Sequence, residues 1–200
     1  MKCKICNKAA AEAYFLVCTS FLGLTFLGAN FGGALAGALG YLLAISLVYD
    51  IRFNMWNVFK GIFILGLVAA VLMLADSAGI FSQSHMGGLV KDAQINGFSV
   101  IIYTIRRKVS MNIRLTRYTI WTKVLLCIIA MISVMFYKPV KQMLYIFNRY
   151  KYLRYSWISI AASAAAGFAF NDSGIVVAAA AMIFAVFTML IMCIGERDES

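Results

Sequence analysis

Charge is scarce in this chain. Asp, Glu, Lys and Arg make up only 13% of its 200 residues, against 63% hydrophobic residues, and the mean hydropathy is +0.86. Soluble domains carry about 25% charged residues. With half that share, a fold in water could not cover its surface with polar groups, so the bilayer is the expected solvent. Proline is nearly absent. Pro139 is the only one, and it follows an apolar run, so long helices can proceed without the ring clash and missing N–H that break them. Histidine occurs once, at His85. Cysteine occurs five times, but only Cys3 and Cys6 form a CxxC pair. Without a second pair or a second His, a four-ligand zinc site is incomplete. Those two cysteines read as reduced thiols, with zinc shared across a dimer or lipidation as the alternatives. Cys18, Cys127 and Cys193 lie in apolar runs as small hydrophobes.

The chain also lacks a Ser/His/Asp spacing, a metal-ligand cluster, a P-loop and a dinucleotide fingerprint. Gly37 and Gly40 fall inside an apolar run and are no phosphate loop. Neither catalytic residues nor a metal or cofactor is expected.

The apolar residues gather in six runs. A helix needs roughly 20 apolar residues to cross the hydrocarbon. The runs cover about Ala13–Ala29, Gly33–Tyr49, Gly61–Ile80, Thr119–Tyr137, Trp157–Phe170 and Gly174–Ile194. The fifth is short but uncharged. Each must be helical, because lipid offers no partner to a free backbone group. The expected fold is therefore an all-α integral membrane protein of about six transmembrane helices. Residues 1–12 form a cytosolic N-terminal segment, 13–194 a single bundle and 195–200 a cytosolic tail. The first run ends Leu27-Gly28-Ala29-Asn30 without a small-x-small cleavage site, so it reads as an uncleaved span.

The net charge is +10. In a multi-pass protein this points to anionic lipid headgroups rather than nucleic acid, since Lys and Arg collect in cytoplasmic loops. With the N-terminus inside, Lys2, Lys4, Lys8, Arg52, Lys60, Lys138, Lys141, Arg149, Lys151, Arg154 and Arg197 fall inside. Lys91, Arg106, Arg107, Lys108, Arg114 and Arg117 fall outside, and Lys123 lies within a span. The excess inside predicts both termini in the cytoplasm.

Residues 82–118 connect the third and fourth spans. Ile101, Ile102, Ile105, Val109 and Ile113 recur at helical spacing, with Arg106, Ser110, Arg114 and Arg117 on another face. The pattern predicts an amphipathic helix over about 97–117, lying on the outer surface; a re-entrant segment would reverse the topology after it. The inner connection Lys138–Tyr155 mixes cations with Tyr145, Phe147, Tyr150, Tyr152 and Tyr155, a composition that settles at headgroup level. Small residues four apart, Gly33/Gly37, Gly32/Ala36/Gly40, Ala161/Ala165, Ala162/Ala166 and Ser163/Gly167, predict close helix packing. Packing within one bundle is the first expectation, and a homo-oligomer the second.

Ionisable residues inside spans are costly and usually serve a purpose. The topology brings Asp76, His85, Lys123 and Asp172 to the outer face, with Ser84, Asn171 and Ser173 beside them. These form a candidate polar site. Arg106, Arg107, Lys108, Asn112, Arg114 and Arg117 form a candidate headgroup-binding row, because Arg and Lys both donate to phosphate. Each has a structural reading too. Asp76 and Lys123 pair, Lys123 snorkels, Asp172 caps the last helix, and His85 is a hydrogen-bonded loop residue.

Ser84-His85-Met86-Gly87, then Arg107-Lys108 with Asn112 and Arg114, then Asn171-Asp172-Ser173-Gly174 in a final helical hairpin, form an ordered pattern, with Leu27-Gly28-Ala29-Asn30 and Gly32-Gly33 ahead of it. Over nearly the whole chain from about Ala13, the order resembles the C-terminal membrane region of large bacterial multi-pass proteins that carry an alkaline-phosphatase-like domain. Gly88 departs from that pattern, in which an Arg follows the His-x-Gly stretch. The phosphatase-like domain has no counterpart here, so its metal ligands and nucleophile have no positions in this sequence. The resemblance implies a bacterial cytoplasmic membrane and a phosphatase-like partner protein. The function expected is that of a non-catalytic module with an outer-leaflet polar and basic site, handling a lipid-linked or phosphate-bearing envelope component. A small transporter or flippase component and a structural membrane subunit are the alternatives.

Overall fold

The computed structural model describes residues 8–24, 30–77, 99–137 and 141–198. Among these residues the chain is all helix, without a strand. The elements are α1 (Lys8–Gly23), α2 (Phe31–Val48), α3 (Met55–Ser77), α4 (Ser99–Tyr118), α5 (Ile120–Tyr137), α6 (Lys141–Arg149), α7 (Lys151–Phe170) and α8 (Gly174–Asp198). Phe31–Val48, Met55–Leu74, Ile120–Tyr137 and Gly174–Gly195 are long and apolar enough to cross a membrane, and Ala9–Gly23 is a shorter apolar helix. The protein is an all-α membrane protein. The fifth apolar run lies in α7, which begins six residues earlier, at Lys151, and takes Lys151 and Arg154 into its first turn.

Local sequence sets the helix ends. The Asn30 side chain caps α2, accepting the Gly33 N–H at 2.8 Å. The Asn54 carboxamide does the same for α3, accepting the Asn57 N–H at 2.8 Å. Both satisfy N–H groups that an α-helix leaves free at its start. Between α2 and α3 the chain reverses at Asp50, with φ of 51°. Asp tolerates the left-handed region better than most residues.

Contacts at the two ends give the directions of the helices. At one end the start of α2 meets the α7–α8 turn, where the Asn171 amide reaches the Asn30 side chain. At the other, the Lys151 ammonium lies 3.4 Å from the Asp50 carboxylate. A hydrogen bond to the Tyr155 phenol, and then Asp50, hold the Lys151 pKa above its ordinary range. There too Phe136, near the end of α5, lies 6.3 Å from Trp157 of α7. Thus α2, α5 and α8 run one way and α7 runs the other. Helix α1 returns its Gly23 to Ala34 and to Leu72 of α3, so α1 and α3 run with α7. Taken in chain order, α1, α2, α3, α5, α7 and α8 thus alternate in direction. Helix α4 meets the Asn171 end and α6 the opposite end.

The core has two parts. Between α5, α6, α7 and α8, Ile128, Met143, Ile146, Trp157, Met182 and Met189 close on one another, and the Trp157 indole donates to the Ala185 carbonyl at 3.0 Å. Between α2 and α7 the seam is built from small residues. A Cβ on Gly40 would lie 2.8 Å from Ser163 Cβ, and one on Gly32 would lie 2.6 Å from the Phe170 carbonyl. The Ser163 hydroxyl donates to the Ala36 carbonyl at 2.9 Å. The Gly32/Ala36/Gly40 and Ser163/Gly167 spacings therefore pack within one bundle.

Candidate functional site

The turn Asn171-Asp172-Ser173 joins two antiparallel helices and exposes their backbone ends. The last carbonyls of α7 and the first N–H groups of α8 have no partner within their own helices. Asn112, from the middle of α4, serves both. Its amide nitrogen donates to the Phe168 and Asn171 carbonyls, each at 3.1 Å, and its oxygen accepts the Gly174 N–H at 3.0 Å. One side chain thereby caps the end of α7 and the start of α8. Asn is suited to this because a single carboxamide carries two donors and an acceptor. It is also buried, at 9% exposure, where leaving such groups unpaired costs about 1–3 kcal/mol each.

Lys108 lies one helical turn before Asn112 and faces the same way. Its ammonium is 3.1 Å from the Asp172 carboxylate and reaches the Phe170 carbonyl at 3.4 Å. The cation is placed at the C-terminal end of α7 and the carboxylate at the N-terminal end of α8, the favourable arrangement for both helix dipoles. Asn171 turns the other way. Its amide donates to the Asn30 side chain at 3.1 Å, while its own oxygen accepts the Ser173 N–H at 3.4 Å. The result is a clasp of Asn30, Lys108, Asn112, Asn171 and Asp172. It ties the start of α2, the middle of α4 and the α7–α8 turn together. Among the described residues no buried side-chain polar atom lacks a partner, so the clasp is satisfied from within.

Two groups foreseen as separate therefore exchange members. Lys108 and Asn112, placed in the headgroup row by sequence, belong with Asn171 and Asp172. The remaining members, Arg106, Arg107, Arg114 and Arg117, are all exposed and make no ion pair or hydrogen bond among the described residues. At about 100° per residue they fall on the side of α4 away from Lys108 and Asn112. Between the two faces lie Ile102, Val109 and Ile113, each more than half exposed. The helix spacing expected over 97–117 is realised in Ser99–Tyr118.

Ser84 and His85 lie outside the described residues, as do Cys3 and Cys6. Asp76 falls in the last turn of α3, with its side chain outside them. Lys123 is exposed in α5 without a partner among the described residues. Helix α3 packs on α2 and α5 packs on α8, so the carriers of Asp76 and Lys123 have different neighbours. Ser173 contributes its backbone to the turn and leaves its side chain exposed. Sequence reading missed Asn30 as a member of the clasp. Its signal was an Asn immediately before an apolar helical run. No group of three His, Cys, Asp or Glu able to hold a metal occurs among the described residues. Comparison with protein-family models, with curated proteins and with solved structures gives no match.

Proposed function

We propose that this chain is a non-catalytic membrane module which presents a cationic helix to anionic headgroups at the outer face of a bacterial cytoplasmic membrane. It spans that membrane six times with both termini inside. There it assists the handling of a lipid-linked or phosphate-bearing envelope component beside a phosphatase-like partner. One observation carries the proposal: Lys108 and Asn112 lock one side of α4 to the α7–α8 turn, leaving the four arginines on the other side exposed and, among the described residues, unpaired. A helix held in this way keeps its cations at headgroup height, with Ile102, Val109 and Ile113 available to the acyl boundary. Arg is suited to the task because its planar fork donates twice to one phosphate.

The test is lipid association of the purified protein. Each cation near an anionic surface contributes on the order of 1 kcal/mol, weakening with salt. Changing Arg106, Arg107, Arg114 and Arg117 together to Gln should lower the enrichment of anionic over zwitterionic lipid at low salt. An unchanged preference would remove the headgroup role. Orientation has its own test. In a background without native cysteines, Ser173→Cys should react with an impermeant thiol reagent from outside, and Phe53→Cys should not. The reverse pattern would invert the topology.

A further inference from the structure

At the end of the bundle opposite the clasp, α1, α2 and α3 do not close on one another. They leave a groove of about 750 Å³. Its walls are apolar along most of their length, with Phe15, Leu16, Leu39, Leu42, Leu65 and Val68 among the lining residues. Its mouth is polar and carries Arg52, Lys60, Asn57 and Glu12. Two cations and one carboxylate line it there, and the nearby Asp50 is already engaged by Lys151. Helix α3 lines the groove from Asn57 to Val68, about 16 Å at 1.5 Å per residue, close to the depth of one leaflet's hydrocarbon, about 15 Å.

We propose that this groove is a binding site for one anionic phospholipid of the leaflet at the Asp50 end. An acyl chain lies between α1, α2 and α3, and the phosphate is held by Arg52 and Lys60. The polarity runs in the right order for such a ligand, with cations at the membrane boundary and an apolar trough leading inward. Asn57 orders the mouth, since its amide donates to the Arg52 carbonyl at 2.7 Å and fixes the backbone that carries the guanidinium. The site is at the opposite end from the arginine face of α4 and does not depend on the role given to it.

The groove can be closed without disturbing the helices around it. Gly61 is one of its lining residues, and a Cβ built there meets nothing within 4 Å. Gly61→Leu should therefore fill the trough from α3. The experiment is native mass spectrometry of the full chain in detergent, with equal amounts of phosphatidylglycerol and phosphatidylcholine added. The wild type should retain one phosphatidylglycerol in preference. Arg52→Gln with Lys60→Gln changes two exposed residues and should lower that retention on the order of tenfold. Gly61→Leu should abolish retention of either lipid at this site, with helix content by circular dichroism unchanged. Neutralising the four arginines of α4 should leave it in place, which separates this site from the one above. Equal retention of both lipids by the wild type would overturn the proposal. So would undiminished phosphatidylglycerol in the Arg52/Lys60 double variant or in Gly61→Leu.

Discussion

Helix α2 has two interfaces of opposite character. Towards α7 it presents Gly32, Ala36 and Gly40, and the two backbones come close enough that a Cβ at Gly32 or Gly40 would strike its neighbour. Towards α1 and α3 it presents larger side chains. Tyr41 stacks on Phe15 at 4.4 Å between ring centroids, and the space beyond is the groove. Lipid tails are as apolar as Leu, so burying apolar surface provides little drive for helices to associate in a bilayer. Close backbone approach and hydrogen bonds across the seam provide it instead. The α2–α7 side has both, with Ser163 donating to Ala36 and the Asn30–Asn171 contact at its end. Near the clasp the α1–α3 side is close as well, since a Cβ on Gly23 would lie 2.7 Å from Leu72 and 3.1 Å from Ala34, but towards the Asp50 end it opens and leaves room for lipid.

Steric probes should break the comparison most sharply. Gly32→Leu places its Cβ against the Phe170 carbonyl, a backbone atom with little freedom to move. Overpacking of this kind costs about 1–3 kcal/mol and occasionally more. Gly61→Leu, in the groove beside α2, meets nothing within 4 Å and should be near neutral. In a thermal-shift measurement in detergent, the first variant should unfold well below the wild type and the second close to it. Equal losses would mean that the two sides of α2 are equally packed.

Asn112 ranks next. Asn112→Leu keeps the branched outline and heavy-atom count of the side chain but strands the Phe168 and Asn171 carbonyls and the Gly174 N–H. The expected loss is about 3 kcal/mol, allowing for water reaching part of the turn. Because Asn112 also fixes α4, the same variant should increase protease access to Ser99–Tyr118. If stability falls but α4 stays protected, α4 is held chiefly by its junction with α5, and the clasp contributes less than its hydrogen bonds suggest.

The sequence carried the helices more clearly than the connections between them. Apolar runs marked the long helices because lipid demands continuous apolar length, and the isoleucine spacing marked α4 because one face is apolar. Helix α6 was not foreseen as a separate element. Lys141–Arg149 is only nine residues long, and its cations and aromatics read equally as a headgroup-level loop. The clasp was half legible. Lys108, Asn112, Asn171 and Asp172 were picked out as polar residues in an apolar chain, but Asn30 and the pairing were not. Lys108 differs little from Arg107 in a list of cations; only the turn of α4 decides which one meets Asp172. Asn112 was harder still, because its partners are backbone atoms, and no side-chain pattern records where the free ends of two helices will come together.

The smallest expected effect belongs to that ion pair. Lys108 and Asp172 are 25% and 52% exposed, so water and salt screen their attraction, and such pairs contribute about 0–1 kcal/mol. Asp172→Asn keeps a side chain of the same shape and should cost a few tenths of a kcal/mol at low salt, shrinking as salt is raised. Lys108→Met should cost more, since the Phe170 carbonyl loses a donor as well as Asp172 losing its cation. A double-mutant cycle separates the two contributions. If the pair matters, the losses will be less than additive at low salt and will approach additivity at high salt. Strict additivity at both would show that Lys108 acts on the α7 carbonyl alone and that Asp172 is held by the turn. The contrast with Asn112 then has a physical basis. A buried carboxamide holding three backbone groups fixes the α7–α8 turn, whereas a half-exposed ion pair one helical turn away only trims its electrostatics.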